Sequence, residues 1–203
     1  CLRAGDIKAT YGTGCFINMN TATTPIESPD RLLTLLAWSR NGVPTYGLDG
    51  GVLTAGACIN WLKEKLCLFE SPSDIDQLCK TVQPNEVVWI PAQIGLGPPY
   101  WDRTMRGTFL GLDLESKPEN LIFAVLEGIA LRVAQIVKLM QSNASTQVEL
   151  LRVDGGLTHI DTLMQLQADL LGFPVEVLAS SEATTLGACY LGARYLGLWD
   201  TDD

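Results

Sequence analysis

Three short stretches carry residue types that handle phosphate without a lysine. In Gly12-Thr13-Gly14 a hydroxyl sits between two residues that have no side chain. The hydroxyl can donate to a phosphate oxygen while the glycines let the backbone close in. Gly56 and Asn60 are four residues apart, which on a helix puts a bare notch and an amide on one face. Gly155 and Gly156 stand where an apolar run ending at Asp154 gives way to a helical period. A helix starting there offers free N–H groups and partial positive charge to an anion. Each stretch alone has an ordinary explanation: a hairpin turn, a close helix contact, a tight bend. Three of them, each at a junction with a strand or a helix, point to phosphate or nucleotide binding.

Competing chemistries find less support. No G-x-x-x-x-G-K-[ST] and no G-x-G-x-x-G after a strand occurs, which argues against a P-loop and a Rossmann site. His159 is the only histidine, without a second ligand at metal spacing, and no G-x-S-x-G supports a serine nucleophile. It reads as a solvent-facing residue at a helix start. The cysteines form no C-x-x-C and sit largely in apolar runs, as reduced core residues of a cytosolic protein do. Asp6 reads as a turn residue, Asp102 and Arg103 as an ion pair, and Glu127 as a carboxylate that needs a structural hydrogen bond within an apolar helix. A formal net charge of −9 argues against nucleic acid as a partner. The apolar run 121–140 is broken by Glu127, Arg132, Gln135 and Lys138, so it reads as a buried helix rather than a membrane span.

The elements that must position these corners follow from the hydrophobic period. Alternating residues predict strands over 7–11, 15–20, 32–38 and 45–48, a four-stranded meander whose polar 21–30 segment is a loop. The period then predicts a helix over 53–66, with Ala57, Trp61, Leu62 and Leu66 on one face. A shorter helix over 73–81 follows, capped by Ser71 or Ser73. Strands are expected at 87–90 and 108–112, separated by a Gly- and Pro-rich loop. A long helix spans 119–141, followed by a strand at 149–153 and a helix over 158–171 opened by a Thr158–Asp161 capping box. A strand at 174–178 and a helix over 184–196 close the chain. Strands first and then alternating α and β predict an α/β fold, a mixed β-sheet with helices packed on its faces. The chain opens on Cys1 without methionine and reads as a domain of a longer protein.

The same stretches resemble a known family. "TYGTGCF" (10–16), "AGACINWL" (55–62), "RGTFLGL" with "NLIFAVLEGIA", and "RVDGGLTHIDTLMQLQADLLGFPVE" are together similar to the C-terminal half of the FGGY carbohydrate kinases, the glycerol kinases above all. Residues 107–127 fit the family's second signature, including Gly111, Asn120, Ala124 and Glu127. The resemblance implies an actin-like ATPase (ribonuclease H-like) lobe over 1–203, on the nucleotide side of a two-lobed enzyme that binds ATP and Mg²⁺ in its cleft. It implies Thr13 at the β/γ-phosphates with Gly12 and Gly14 beside it. Gly56 and Asn60 would border the nucleotide, Gly155 and Gly156 its adenosine or α-phosphate end, and Phe16 would pack on the polyol. The catalytic aspartate would precede Cys1, so no catalytic base is expected here and the lobe alone should be inactive. The implied partners are a polyol or sugar substrate and the N-terminal lobe, with room for a homo-oligomer, in the cytoplasm and without nucleic acid or membrane. The alternative reading is a non-catalytic actin-fold module that binds nucleotide for assembly or regulation. The family often carries glutamine where Asn60 stands and asparagine where Ile160 stands; isoleucine offers no hydrogen bond there.

Overall fold

A computed structural model describes residues 2–80, 82, 86–180 and 182–199. Cys1 and the Thr81 end of the predicted 73–81 helix lie outside the described residues. Six strands build the main sheet: β1 (Ile7–Tyr11), β2 (Cys15–Ala22), β3 (Leu33–Arg40), β4 (Val43–Val52), β7 (Leu151–Asp154) and β8 (Val175–Val177), in the order β3-β4-β2-β1-β7-β8. Each neighbouring pair among the first four is antiparallel, whereas β7 pairs parallel with β1 and β8 parallel with β7. This is the expected mixed sheet, but its first half is not a meander. β4 inserts between β2 and β3 and leaves β3 at the edge. Burial explains the choice. The second half of β4 is almost wholly buried and needs a neighbour on each side, while β3 is largely exposed and suits an edge.

One sheet face is apolar. Ile7, Ala9 and Tyr11 alternate inward on β1, and Cys15, Ile17 and Met19 do so on β2. They pack, with Leu48, Val52, Leu151 and Val153, against α3 (Pro118–Ala144), whose buried stripe includes Ile129, Val133, Ile136, Val137 and Met140. Contact is close at Gly50, where a Cβ would fall 2.7 Å from Ile136 Cγ2. α3 is long and apolar enough to cross a membrane, yet 67% of its most apolar window is buried in this core. α4 (Asp161–Leu171) lies beside α3, and its Gln167 accepts a 2.8 Å hydrogen bond from the buried Tyr11 hydroxyl.

Strands β5 (Val88–Ile90) and β6 (Thr108–Leu110) do not join the main sheet. They pair with each other and pack on α3, where Gly128 lets the Trp89 carbonyl approach. α1 (Gly56–Glu64) follows β4. α2 (Ile75–Cys79) follows a 3₁₀ turn capped by Ser71, one of the two serines the sequence offers as a cap, in a capping box with Asp74. α5 (Ala183–Tyr195) buries no residue among those described.

Three sequence expectations are corrected here. Glu127 is only partly buried, and among the described residues its side chain has no hydrogen-bond partner. The buried charge on α3 is Arg132, 8% exposed, which donates to the Pro98 carbonyl at 2.8 Å and lies over the Tyr100 ring. Asp102 does not pair with Arg103. It closes a local turn, accepting from the backbone N–H and hydroxyl of Thr104, both at 2.7 Å, which holds its carboxyl below the usual range. The Thr158–Asp161 capping box does not form. Residues 156–159 make a 3₁₀ turn, and the Thr158 hydroxyl donates back to the Gly155 carbonyl.

Candidate functional site

The parallel pairing of β1 with β7 sets Thr10 beside Asp154. Both strands therefore end at the same sheet edge, and the turns that follow, Gly12–Gly14 and Gly155–Gly156, emerge next to each other. Gly155 has φ +100°, and a Cβ there would lie 2.4 Å from the Tyr11 carbonyl oxygen. Gly56 touches the first turn in the same way, its Cβ position 2.6 Å from the Gly12 oxygen, and Gly14 is pressed against Val52. The three glycine corners of the sequence converge on one place.

Their glycines do different jobs. Gly14, Gly56 and Gly155 are bare because another stretch of this chain occupies the space. Gly156 is bare towards open space, with no atom within 4 Å of its Cβ position, and Gly12 meets only its own turn. Thr13 and Asn60 are exposed beside them, and His159 is exposed as expected.

The helix starts are not free anion seats. The Gly12 carbonyl accepts from Gly56 N–H, and the Thr13 carbonyl accepts from the N–H groups of Ala55 and Ala57. These bonds close the N-terminus of α1. At α4 the Asp76 carboxylate accepts from Asp161 N–H at 3.2 Å and Thr162 N–H at 2.8 Å. A carboxylate from α2 thus fills the place the sequence reading reserves for a ligand, because the helix dipole and two unpaired N–H groups stabilise it there. What remains for a phosphate is the Thr13 hydroxyl and the bare backbone of Gly156. Ile160, between the 3₁₀ turn and α4, is a core residue at 3% exposure.

On the sheet face away from α3, two cross-strand rows lie below the corners. The upper row runs Gly51, Phe16, Thr10, Asp154; the lower runs Asp49, Asn18, Lys8, Arg152, Glu176. Phe16 is 49% exposed and rests on Gly51. Asn18 donates to Asp49 at 2.6 Å, while burial pushes the Asp49 carboxyl above its usual range against that hydrogen bond and the charge of Lys8. Lys8, Thr10 and Asp154 form a hydrogen-bonded chain that the sequence reading missed. Period-two alternation puts Lys8 and Thr10 on one face, but only the β1–β7 register brings Asp154 to them. Among the described residues no group of His, Cys, Asp and Glu could hold a metal ion. A separate open groove of about 690 Å³, lined by Phe123, Asp161, Gln165, Asp169 and Val175 among others, contains none of the corner residues.

Comparison with known proteins bears on this arrangement. The sequence profile of the FGGY family of carbohydrate kinases, C-terminal domain, matches residues 7–196. Glycerol kinase of Deinococcus radiodurans is 41% identical over 204 residues, covering 100% of this chain and 41% of the relative. Glycerol kinase of Pseudothermotoga lettingae is 43% identical over 201 residues, covering 98% and 40%. The structure of Plasmodium falciparum glycerol kinase with ADP superimposes with a TM-score of 0.87 at 32% identity, over 97% of this chain and 40% of that one. Xylulose kinase from Rhodospirillum rubrum gives a TM-score of 0.75 at 27% identity, over 93% and 37%. The chain thus spans about two fifths of the length of these relatives.

Proposed function

The chain belongs to the FGGY family of carbohydrate kinases, as its C-terminal domain, and from that premise we propose that it is the nucleotide-side lobe of an ATP-dependent polyol kinase with glycerol as the first candidate substrate. The observation that carries the reading is the emergence of Gly12–Gly14 and Gly155–Gly156 side by side, with the Thr13 hydroxyl exposed and open space at Gly156. The solved structure of a relative with ADP supports a nucleotide as the ligand.

ATP with Mg²⁺ would supply the transferred phosphoryl group. The lobe's own part is to hold and orient it. Thr13 donates to the terminal phosphates, Gly12 and Gly156 let the backbone approach, and Asn60 borders the nucleotide. Phe16 offers an exposed ring for the carbon chain of the polyol. The base that takes the hydroxyl proton belongs to the other lobe in this reading, so the lobe alone transfers nothing. Free thiols at Cys15, Cys58 and Cys79 suit a reducing compartment, and the same reading puts the protein in the cytoplasm.

The test is a phosphorylation screen of the intact protein with ATP–Mg²⁺ against glycerol, xylulose and gluconate. Glycerol is expected to be phosphorylated fastest. An intact protein that binds ATP but phosphorylates none of them would overturn the kinase reading in favour of a nucleotide-binding module.

A further inference from the structure

The chain of side chains below the corners poses a problem for a site that receives phosphate. Asp154 directly precedes Gly155 and is 3% exposed. A carboxylate there stands one residue from the backbone that an anionic ligand must approach, and it repels that ligand. Arg152 on the same strand does not compensate for it, being engaged by Glu176 at 2.9 Å and by Asp6 at 3.6 Å.

The hydrogen bonds point to Lys8 instead. Thr10 Oγ1 donates to Asp154 Oδ1 at 2.6 Å, and Lys8 Nζ donates to Thr10 Oγ1 at 2.8 Å. The hydroxyl has a single proton, spent on Asp154, so it meets Lys8 as an acceptor and the direction of the chain is set. Among the described residues no carboxylate lies within salt-bridge distance of Lys8. Its ammonium is linked to Asp154 through the Thr10 hydroxyl. The link also ties β1 to β7 just before their two corners.

We propose that Lys8, acting through Thr10, neutralises Asp154 so that the phosphates of a nucleotide can come up to the Gly155–Gly156 turn. Lys8 and Thr10 are then positioning residues, and an uncompensated Asp154 is an electrostatic block. The inference rests on the nucleotide reading above.

A double-mutant cycle that removes each charge in turn tests it in the intact protein, with ATP–Mg²⁺ affinity measured by titration calorimetry and polyol KM by steady-state kinetics. Lys8→Met is expected to weaken ATP binding about tenfold, with polyol KM changed less than about twofold. Adding Asp154→Asn to Lys8→Met is expected to restore most of the affinity, since it removes the block itself. Lys8→Arg, which keeps the charge, should bind ATP like the wild type and guards against a folding artefact. ATP affinity unchanged in Lys8→Met, or a double variant no tighter than Lys8→Met, overturns the inference and leaves the lobe reading standing. A wild-type protein that binds no ATP at millimolar concentration overturns the lobe reading and this inference with it.

Discussion

Gly155 and Gly156 are neighbours of one residue type with opposite reasons for being glycine. Gly155 has a positive φ and faces the Tyr11 carbonyl, so an added methyl group strains the backbone and collides with another strand. Gly156 has neither problem. Gly155→Ala is expected to cost about 1–3 kcal/mol of stability, read as a lower urea midpoint. Gly156→Ala should leave that midpoint nearly unchanged and weaken ATP binding in the intact protein, because its methyl group enters the space left for the ligand. Equal loss of stability in both variants would contradict the division of labour. The residue types alone showed that backbone had to come close; which glycine faces solvent depends on a strand 144 residues away along the chain.

At the scale of elements, α4 is held by a partner that its own sequence does not contain. The predicted capping box was a local pattern, but the helix starts three residues later and its first N–H groups go to Asp76 on α2. Asp76→Ala is expected to destabilise the domain by about 1–2 kcal/mol, and Asp76→Asn by less, since asparagine also caps. Chemical denaturation of the three proteins checks the order. The strand order has the same origin. Periodicity found every strand of the main sheet, but it does not say which neighbours pair, and β4 takes the inner place between β2 and β3 because its buried second half needs partners on both sides.

At the scale of the whole molecule, one core ties the sheet face to α3, and it shields three of the described cysteines. Cys15, Cys58 and Cys79 are buried, while Cys67 and Cys189 are exposed. Burial pushes the Cys79 thiol up to about 12 and raises those of Cys15 and Cys58, so little thiolate is present at neutral pH. Iodoacetamide at pH 7.5 is therefore expected to label Cys67 and Cys189 in the native protein, with the three core thiols reacting only on unfolding; mass spectrometry of the digest distinguishes them. Fast labelling of Cys79 in the native state would mean that α2 opens readily.

The sequence by itself determined the parts whose cause is local: the alternating strands, the long apolar helix, the glycine turns and the family motifs that contain them. Only the tertiary structure decided that the turns meet at one edge, that Asp76 closes α4, that Arg132 rather than Glu127 is the buried charge, and that Lys8 and Thr10 stand over Asp154. Local patterns reflect the backbone preferences and burial of neighbouring residues. Pairing and register are chosen by how distant apolar faces fit together, and no short stretch of chain carries that information.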